Sequence, residues 1–278
     1  MNQPLVSILL TSYNREKYIG EAIESVLAST FKDFELIVVD DASIDNTVTI
    51  IEAYAAKDDR IKLFINERNL GDYPNRNKVA GYARGKYLKY IDSDDVMYDH
   101  CMHVMVSCME KFPEAGFGLC SLQDPHVPSP VVVSSKTAYL EHFNGYGHFN
   151  RAPGSAIIKR EVFEQIGGFS GKPLIGDNEL WFKLANYYPM VKFVEGLYWD
   201  RNHGDQERFS DYAKKHYRNL RHDVMIKAMT HQDCPLSGIE IHKILNTVKK
   251  QNSKKFIRRQ ITAFKELFKK RKNVYDRF

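Results

Sequence analysis

The sequence has no apolar run that approaches the roughly 18 residues a membrane-spanning helix needs. Its first residues also lack the basic start, apolar middle and small-residue cleavage site of a signal peptide. Only four cysteines are present, and they form no C-x-x-C pair. These absences argue against a transmembrane protein, a secreted disulfide scaffold and a cysteine-bound zinc site. They favour a cytoplasmic protein with reduced thiols.

Positive charge is concentrated at one end of the chain. The formal net charge is +5, but residues 249–278 contain twelve Lys or Arg and two Asp or Glu. That segment therefore carries +10, and the rest of the chain carries about −5 by subtraction. The basic character belongs to a C-terminal tail and says little about the partners of the main body.

The tail, residues 231–278, reads as a separate helical unit. Residues 237–240 fit a capping box, which marks a helix start. A second predicted helix has four apolar residues on one side and Lys or Arg on the other: Ile257, Ile261, Phe264 and Phe268. A basic amphipathic helix suits an anionic membrane surface. Packing on the catalytic domain, or pairing with a second subunit as a homodimer, are the alternatives. Nucleic acid is not expected, because stacking aromatics and a binding motif are missing.

Strand and helix signals alternate in the first half of the chain. Buried strands are predicted in LVSILLTSYN, FELIVVDDAS, IKLFINE and KYLKYI, with helices in REKYIGEAIESVLAST, NTVTIIEAYAA and YPNRNKVAGYARG. This alternation predicts an α/β fold with a mostly parallel central sheet flanked by helices. In such sheets ligands bind beyond the carboxyl ends of the strands.

The second half is less regular. The pattern predicts a loop and an edge strand over 121–135, a strand and short helix over 154–171, and a helix that stops before Pro189. Residues 191–206 read as a strand that runs into a polar loop. Cys101 and Cys108, seven residues apart, are expected to share a buried helix face.

Three carboxylates, Asp92, Asp94 and Asp95, follow the fourth strand. Acidic clusters of this kind are often solvated loops or caps for the next helix. However, three adjacent carboxylates repel one another unless a cation neutralises them. Mg²⁺ in particular is held by one or two carboxylates together with substrate phosphates. The cluster alone therefore favours a metal site only slightly.

The chain resembles the glycosyltransferase family 2 enzymes, which have the GT-A fold and use nucleotide-sugar donors. The resemblance lies in VSILLTSYNREKYIGEAIESVLASTFKDFELIVVDDASIDNT, NERNLGDYPNRNKVAGYARGKYLKYIDSDD, REVFEQIGGF and GDNELWFKL, in the order and spacing of the family. Together these segments cover roughly residues 4 to 205. The ordered set is far more specific than any one segment.

The resemblance implies a D-x-D motif in DSDD. Asp92 would contact the nucleotide ribose, and Asp94 would bind Mn²⁺ or Mg²⁺ at the donor diphosphate. Asp95 would assist through water or cap the next helix. A dication would stabilise the charge that builds on the departing diphosphate.

The resemblance also implies a nucleotide pocket. Asp41 would hydrogen-bond the base, with a turn residue as its alternative role. Asp40 has the stronger claim to that turn. Thr11 and Tyr13 would begin the pocket, with Tyr13 packed against the base; a core or turn role is the alternative for Tyr13. Arg76 would reach the base or diphosphate, or lie at the surface.

Asp177 matches the family's general base, and a helix N-cap is its alternative role. Gly176 departs from the glutamate that many relatives have, which leaves the acceptor surroundings open. Trp181 suits either the core or a sugar-stacking platform. His203 matches a loop histidine near the metal and diphosphate, and imidazole can bind Mn²⁺. A solvated loop histidine is its alternative role. Residues 139–154 are expected to help shape the acceptor site.

These observations predict a metal-dependent, inverting glycosyltransferase that moves a sugar from a nucleoside-diphosphate sugar, expected to be a UDP-sugar, to a hydroxyl. The expected acceptor is a glycan or lipid-linked glycan at the inner membrane face. The predicted parts are a donor half at 1–115, an acceptor half at 116–230 and the tail. The rival readings are a nucleotidyltransferase and a non-catalytic nucleotide-sugar or glycan-binding protein on the same fold.

Overall fold

A computed structural model describes residues 3–123 and 126–247 of the chain. The chain divides into two compact units, Met1–Pro235 and Leu236–Phe278. In the described part of the second unit, a helix covers residues 238–247. The Ser237 N–H donates to the Glu240 carboxylate at 2.8 Å, and the Glu240 N–H donates to Ser237 Oγ at 3.4 Å. The predicted capping box is therefore confirmed. The second predicted tail helix, residues 253–278, lies outside the described residues.

Strands and helices alternate through the first unit. The strands are β1 (Val6–Ser12), β2 (Phe34–Asp40), β3 (Ile61–Ile65), β4 (Tyr87–Asp92), β5 (Val96–Met97), β6 (Phe117–Cys120), β7 (Val131–Val133), β8 (Ala156–Lys159), β9 (Met190–Phe193) and β10 (Tyr198–Trp199). The helices are α1 (Ile19–Leu27), α2 (Thr47–Ala55), α3 (Asp72–Gly81), α4 (Cys101–Lys111), α5 (Ser135–Glu141), α6 (Arg160–Gln165), α7 (Gly176–Tyr187) and α8 (Asp211–Thr230). A π-helical turn follows α5, and short 3₁₀ turns lie at Pro153–Ser155 and Glu207–Phe209.

Eight of the described strands form one sheet in the order β3-β2-β1-β4-β8-β6-β9-β7. The pairs β1–β2, β1–β4, β2–β3 and β6–β9 are parallel. Only β8 and β7 run against the direction of the others. The predicted mostly parallel sheet is therefore confirmed, and β7 is an edge strand as expected.

Hydrophobic burial explains why these segments form these elements. Every residue of β2 is buried, as expected for a strand covered on both faces. The apolar face of α1 (Ile19, Ala22, Ile23 and Val26) is buried against the sheet core, as its spacing predicts. Cys101 and Cys108 both lie on the buried side of α4, which confirms their shared helix face.

Four features were not predicted from the sequence. Helix α8 is twenty residues long, but it buries few residues (Ala213, Val224, Ala228 and Met229), so its apolar periodicity is weak. Helix α5 and strand β6 are two further features without a prediction. The fourth is a separate two-stranded ribbon of β5 and β10, in which Tyr198 pairs with Met97 and Trp199 with Val96. This ribbon places the loop that follows β10 beside the acidic cluster that follows β4.

The eight-stranded sheet runs through both predicted halves, 1–115 and 116–230, and their division into donor and acceptor halves stays a prediction. Among residues 3–123 and 126–247, no helix combines the length and apolarity needed to cross a membrane.

Candidate active site

The carboxyl ends of β1, β2 and β4 meet at one edge of the sheet. β1 lies between the other two, with Thr11 paired to Asp92 and Ser12 paired to Asp40. The chain leaves β1 toward β2 on one side and returns to β4 on the other, so the strand order reverses here. A crevice opens at such a switch point, and polar ligands bind in it.

A cavity of about 400 Å³ lies beyond these strand ends. It is lined by seven of the eight residues predicted to form the site: Thr11, Tyr13, Asp41, Arg76, Asp92, Asp94 and Asp177. The eighth, His203, contacts Asp94 directly. Residues from distant parts of the sequence are thus brought to one place.

The cavity wall is strongly acidic. Seven carboxylates line it: Asp41, Asp72, Asp92, Asp94, Asp177, Asp200 and Glu207. Three guanidinium groups oppose them: Arg15, Arg76 and Arg208. An anionic ligand would meet net repulsion here unless a cation entered with it.

Arg76 lies between two of these carboxylates. Its Nε is 2.7 Å from Asp72 Oδ1, and its Nη2 is 2.7 Å from Asp92 Oδ1. The side chain is only 8% exposed, so a surface role for Arg76 is wrong. Its buried Nη1 has no hydrogen-bond partner. Burial and the charge of Asp94 raise the pKa of Asp92, and Arg76 opposes that shift.

The side chains of His203 and Arg15 contact the same carboxylate oxygen of Asp94. Oδ2 lies 2.9 Å from His203 Nε2 and 3.2 Å from Arg15 Nε. His203 Nδ1 accepts from the Asp205 N–H at 3.3 Å, so the proton between His203 Nε2 and Asp94 would have to leave before Nε2 could bind a cation. The Tyr18 ring lies 4.6 Å from the imidazole and holds it in place.

Asp94 and His203 together fit a divalent cation as a two-residue site. Carboxylate oxygen and imidazole nitrogen are both Mn²⁺ ligands, and such ions complete their shell with phosphate oxygens and water. Among the described residues, no group of three or more His, Cys, Asp or Glu side chains is arranged to hold a metal ion. The remaining ligands would therefore come from the bound substrate and solvent.

Asp95 has a role that the sequence did not indicate. Its Oδ1 accepts from the Arg201 N–H at 3.0 Å, and Arg201 Nε donates to the Asp94 carbonyl at 2.8 Å. Burial and the charge of Asp92 raise the pKa of Asp95 to about 8. The N-cap of α4 is His100, so the expected capping role of Asp95 is wrong. Asp95 instead ties the loop after β10 to the D-x-D segment.

The two aspartates after β2 have different partners. Asp40 accepts from the Ser43 N–H at 2.7 Å and forms the turn, as expected. Asp41 accepts from the Leu70 N–H at 2.8 Å, from the Gly71 N–H at 2.9 Å and from the Asn66 side-chain amide at 2.7 Å. Asp41 therefore orders the loop between β3 and α3, which forms part of the cavity wall.

Asp177 lies in the first turn of α7 and faces the cavity. The N-cap position belongs to Ile175, so the N-cap alternative for Asp177 is wrong. Its Oδ1 accepts from the Asn178 N–H at 2.7 Å. Burial raises the pKa of Asp177 to about 6, and Arg76 and the Asn178 N–H limit the rise. A carboxylate with such a pKa is well suited to take a proton near neutral pH.

Trp181, one turn further along α7, belongs to the core. It is fully buried, its Nε1 donates to the Arg151 carbonyl at 2.7 Å, and its ring stacks on Phe117. The sugar-stacking alternative is therefore wrong. Within 139–154, Phe149 and His148 are also buried. Of this segment, only Ala152 and Pro153 line the cavity.

Several cavity residues were missed by sequence reasoning. Arg15, Asp72 and Tyr73 lie inside the segments that carry the family resemblance, so a closer reading of those segments could have found them. Asp200 and Glu207 follow β10 in a loop without periodicity, and no sequence signal marks them.

Comparison with known proteins gives the family and the fold of the chain. The profile of glycosyl transferase family 2 matches residues 7–167. The putative glycosyltransferase EpsE of Bacillus subtilis is 33% identical over 197 residues, which are 65% of this chain and 66% of that protein. An Escherichia coli protein named UDP-Glc:alpha-D-GlcNAc-diphosphoundecaprenol beta-1,3-glucosyltransferase WfgD is 40% identical over 111 residues, 40% of this chain and 43% of its own.

Solved structures share the fold. TarS 1–349 of S. aureus, in complex with UDP-GlcNAc, superposes on this chain with a TM-score of 0.64 at 19% identity. The match covers 86% of this chain and 70% of the TarS chain. The mannosyltransferase PcManGT of Pyrobaculum calidifontis, in complex with GDP-Man and Mn²⁺, has a TM-score of 0.61 at 15% identity. The match covers 90% of this chain and 76% of the PcManGT chain.

The sheet order and the acidic switch-point cavity define a GT-A fold. The chain belongs to glycosyl transferase family 2. It covers 34% to 66% of the lengths of four matching curated relatives. The matched family region ends before Asp177 and His203, so the roles of these two residues rest on the geometry of this chain.

Proposed function

We propose that this protein is a metal-dependent, inverting glycosyltransferase that moves a sugar from a UDP-sugar to a hydroxyl group of a glycan or lipid-linked glycan. The observation that carries the proposal is the shared cavity. A D-x-D carboxylate, a buried arginine with a free N–H and a carboxylate with a pKa of about 6 all face it. These are the groups that donor binding and proton removal require.

The donor half of the cavity suits a nucleoside diphosphate. The unpartnered Nη1 of Arg76 is a buried cationic donor, and guanidinium groups bind phosphate oxygens well. Thr11, Tyr13 and the loop held by Asp41 would enclose the base and ribose, with Asp92 at the ribose. When bound at Asp94 and His203, Mn²⁺ or Mg²⁺ would neutralise the diphosphate charge that the acidic wall would otherwise repel.

Asp177 would act as the general base. The acceptor hydroxyl oxygen forms a bond to the anomeric carbon while the bond from that carbon to the diphosphate breaks. The hydroxyl proton passes to the Asp177 carboxylate, and the nucleoside diphosphate leaves. One base on the acceptor side is enough for this single displacement, which inverts the anomeric configuration.

The acceptor is proposed to be a glycan built on a lipid carrier at the cytoplasmic face of a membrane. WfgD, a relative of part of the chain, is named for a diphosphoundecaprenol-linked acceptor. The +10 charge of residues 249–278 supports attachment to an anionic membrane surface. Packing of the tail on the catalytic unit and pairing of two subunits remain the alternatives.

Two other functions would use similar groups. A nucleotidyltransferase also combines carboxylates, a dication and a nucleotide, but it releases pyrophosphate. A non-catalytic nucleotide-sugar or glycan-binding protein would have no use for a carboxylate poised like Asp177. The pKa of that group favours an enzyme.

Thermal unfolding with a panel of nucleoside-diphosphate sugars tests the proposal. We expect one donor nucleotide to raise the Tm in the presence of Mn²⁺, and to raise it much less with EDTA. Stabilisation by no member of the panel, with or without metal, would contradict donor binding at this cavity.

A further inference from the structure

The helix that carries Asp177 begins without the usual cap. The first N–H groups of a helix have no intrahelical partner and are commonly satisfied by the side chain of the N-cap residue. In α7 that position is Ile175, which supplies no side-chain hydrogen bond. The start of this helix is therefore open to a partner from another element.

Tyr73 of α3 lies against that first turn. Its side chain is buried, and the Phe169 ring lies 5.1 Å from the other side. A Cβ atom added at Gly176 would come within 2.7 to 2.8 Å of three atoms of the Tyr73 ring. Real Cβ atoms do not approach other atoms so closely, so the ring occupies the space of a side chain at position 176.

The Tyr73 hydroxyl interacts with both polar groups of Asp177. Both residues line the cavity. The Asp177 backbone N–H lowers the pKa of the Tyr73 hydroxyl, and that hydroxyl in turn lowers the pKa of the Asp177 carboxylate. A phenolic hydroxyl can accept one hydrogen bond while it donates another. Burial and the charge of Asp177 raise the pKa of Tyr73 well above its usual value, so the hydroxyl keeps its proton.

We propose that Tyr73 is the positioning residue for Asp177: its hydroxyl caps α7 and orients the carboxylate toward the cavity, and Gly176 leaves room for its ring. This inference rests on the proposed function for the role of Asp177 as a base. The contact between Tyr73, Gly176 and Asp177 is independent of that role and can be tested separately.

The Tyr73→Phe variant tests the positioning role. It keeps the ring and removes only the hydroxyl. We expect kcat to fall about 10-fold, the value of one hydrogen bond to a charged group. KM for the donor should stay within about 2-fold of the wild type, because Tyr73 acts on the base and not on the nucleotide.

The pH profile of kcat separates positioning from a general loss of structure. Loss of a hydrogen bond to the ionised carboxylate raises the pKa of Asp177, so the acidic limb of the profile should move to higher pH. The other groups that face Asp177 are Asp72 and Arg76 of α3 and Tyr217 of α8, and the variant leaves them in place.

Tyr82→Phe is the matched control. Tyr82 follows α3, and its ring stacks on Phe64 at 3.9 Å, away from α7. We expect wild-type kcat and an unchanged pH profile for this variant. A Tyr73→Phe enzyme with the kcat and pH profile of the Tyr82→Phe enzyme would overturn the inference.

A stability cycle tests the contact without any turnover. Gly176→Ala should lower the Tm in the wild-type background, because the new methyl group meets the Tyr73 ring. In a Tyr73→Ser background the same change should be neutral or stabilising, since alanine normally favours a helix over glycine. Gly81→Ala, where a Cβ would meet nothing within 4 Å, should be tolerated in both backgrounds.

The stability cycle and the turnover measurement can fail independently of each other. An equal Tm loss from Gly176→Ala in both backgrounds would overturn the packing relationship whatever the enzyme does. A wild-type protein that transfers no sugar would contradict the proposed function, while the stability cycle would still decide whether Tyr73 governs position 176.

Discussion

The imidazole Nε2 of His203 lies 2.9 Å from Oδ2 of Asp94, although 109 residues separate the two in the sequence. The β5–β10 ribbon makes this contact possible, because it places the loop after β10 beside the acidic cluster. The Arg201 backbone, held by Asp95, fixes that loop in register. The fold therefore brings together the two residues expected to bind the metal.

Asp94→Asn should abolish the metal-dependent part of nucleotide stabilisation. The amide is a weaker ligand for a hard dication, and it removes one negative charge from the cavity. We expect UDP with Mn²⁺ to stabilise this variant no more than UDP with EDTA, as measured by Tm. Asp99→Asn is the control, since Asp99 is exposed and pairs only locally with His100. Full metal-dependent stabilisation of Asp94→Asn would show that another residue holds the ion.

Asp177→Asn should lower kcat by about 10² to 10⁴, the usual contribution of a positioned base. The amide oxygen can still accept from the Asn178 N–H, so the start of α7 should be kept. Donor binding, measured by Tm shift, should not change. In the wild type, kcat should rise with pH through about 6 as the carboxylate ionises. Transfer by Asp177→Asn near the wild-type rate would assign the proton to another group.

Asp177→Asn should also make the protein more stable at neutral pH. The pKa of Asp177 is about 6 in the fold, above its usual value of 3.8. Ionisation of this carboxyl therefore opposes folding as the pH rises from about 4 to above 6. Asp177→Asn should raise the Tm at pH 7 and have little effect on it at pH 4. A Tm difference that is the same at both pH values would mean that the carboxyl is not perturbed by burial.

Arg76→Met should destabilise the protein and weaken donor binding together. It would leave Asp72 and Asp92 facing each other without their shared cation, and breaking a buried ion pair in this way costs about 3 kcal/mol or more. Urea unfolding measures the loss. Lys214→Met, which breaks the surface pair with Asp211, should leave the urea midpoint unchanged. Equal midpoints for the two variants would contradict the buried network.

The tail should bring the protein to anionic membranes. Each Lys or Arg held near such a surface contributes on the order of 1 kcal/mol, and salt weakens the attraction. We expect the full chain to sediment with anionic vesicles at low salt and to be released at high salt. A chain that ends at Pro235, the boundary of the first compact unit, should stay in solution and still consume its donor. If neither chain binds the vesicles, the tail is a packing or assembly element.

The sequence predicted the first half of the fold well, because local signals suffice there. Buried strands that end at Asp40 and Asp92 indicate both the sheet and its polar edge, since the carboxyl ends of parallel strands meet. The contacts that complete the site are long-range. The packing of the Tyr73 ring at Gly176 joins two distant segments of the sequence, and neither has a local pattern that reveals the other. Helix α8 was missed because most of its residues face solvent, so its apolar stripe is too thin to detect.

The identity of the released nucleotide tests the central claim most directly. Wild-type protein is incubated with Mn²⁺, a panel of nucleoside-diphosphate sugars and a membrane glycolipid fraction, and the products are separated by ion-exchange chromatography. We predict release of the nucleoside diphosphate from a UDP-sugar, lost with EDTA and with Asp94→Asn, and strongly reduced with Asp177→Asn. Release of the sugar 1-phosphate, which is the leaving group of nucleotidyl transfer from a nucleoside-diphosphate sugar, would contradict sugar transfer at this cavity. Nucleoside diphosphate release that neither EDTA nor these substitutions affect would contradict its metal dependence.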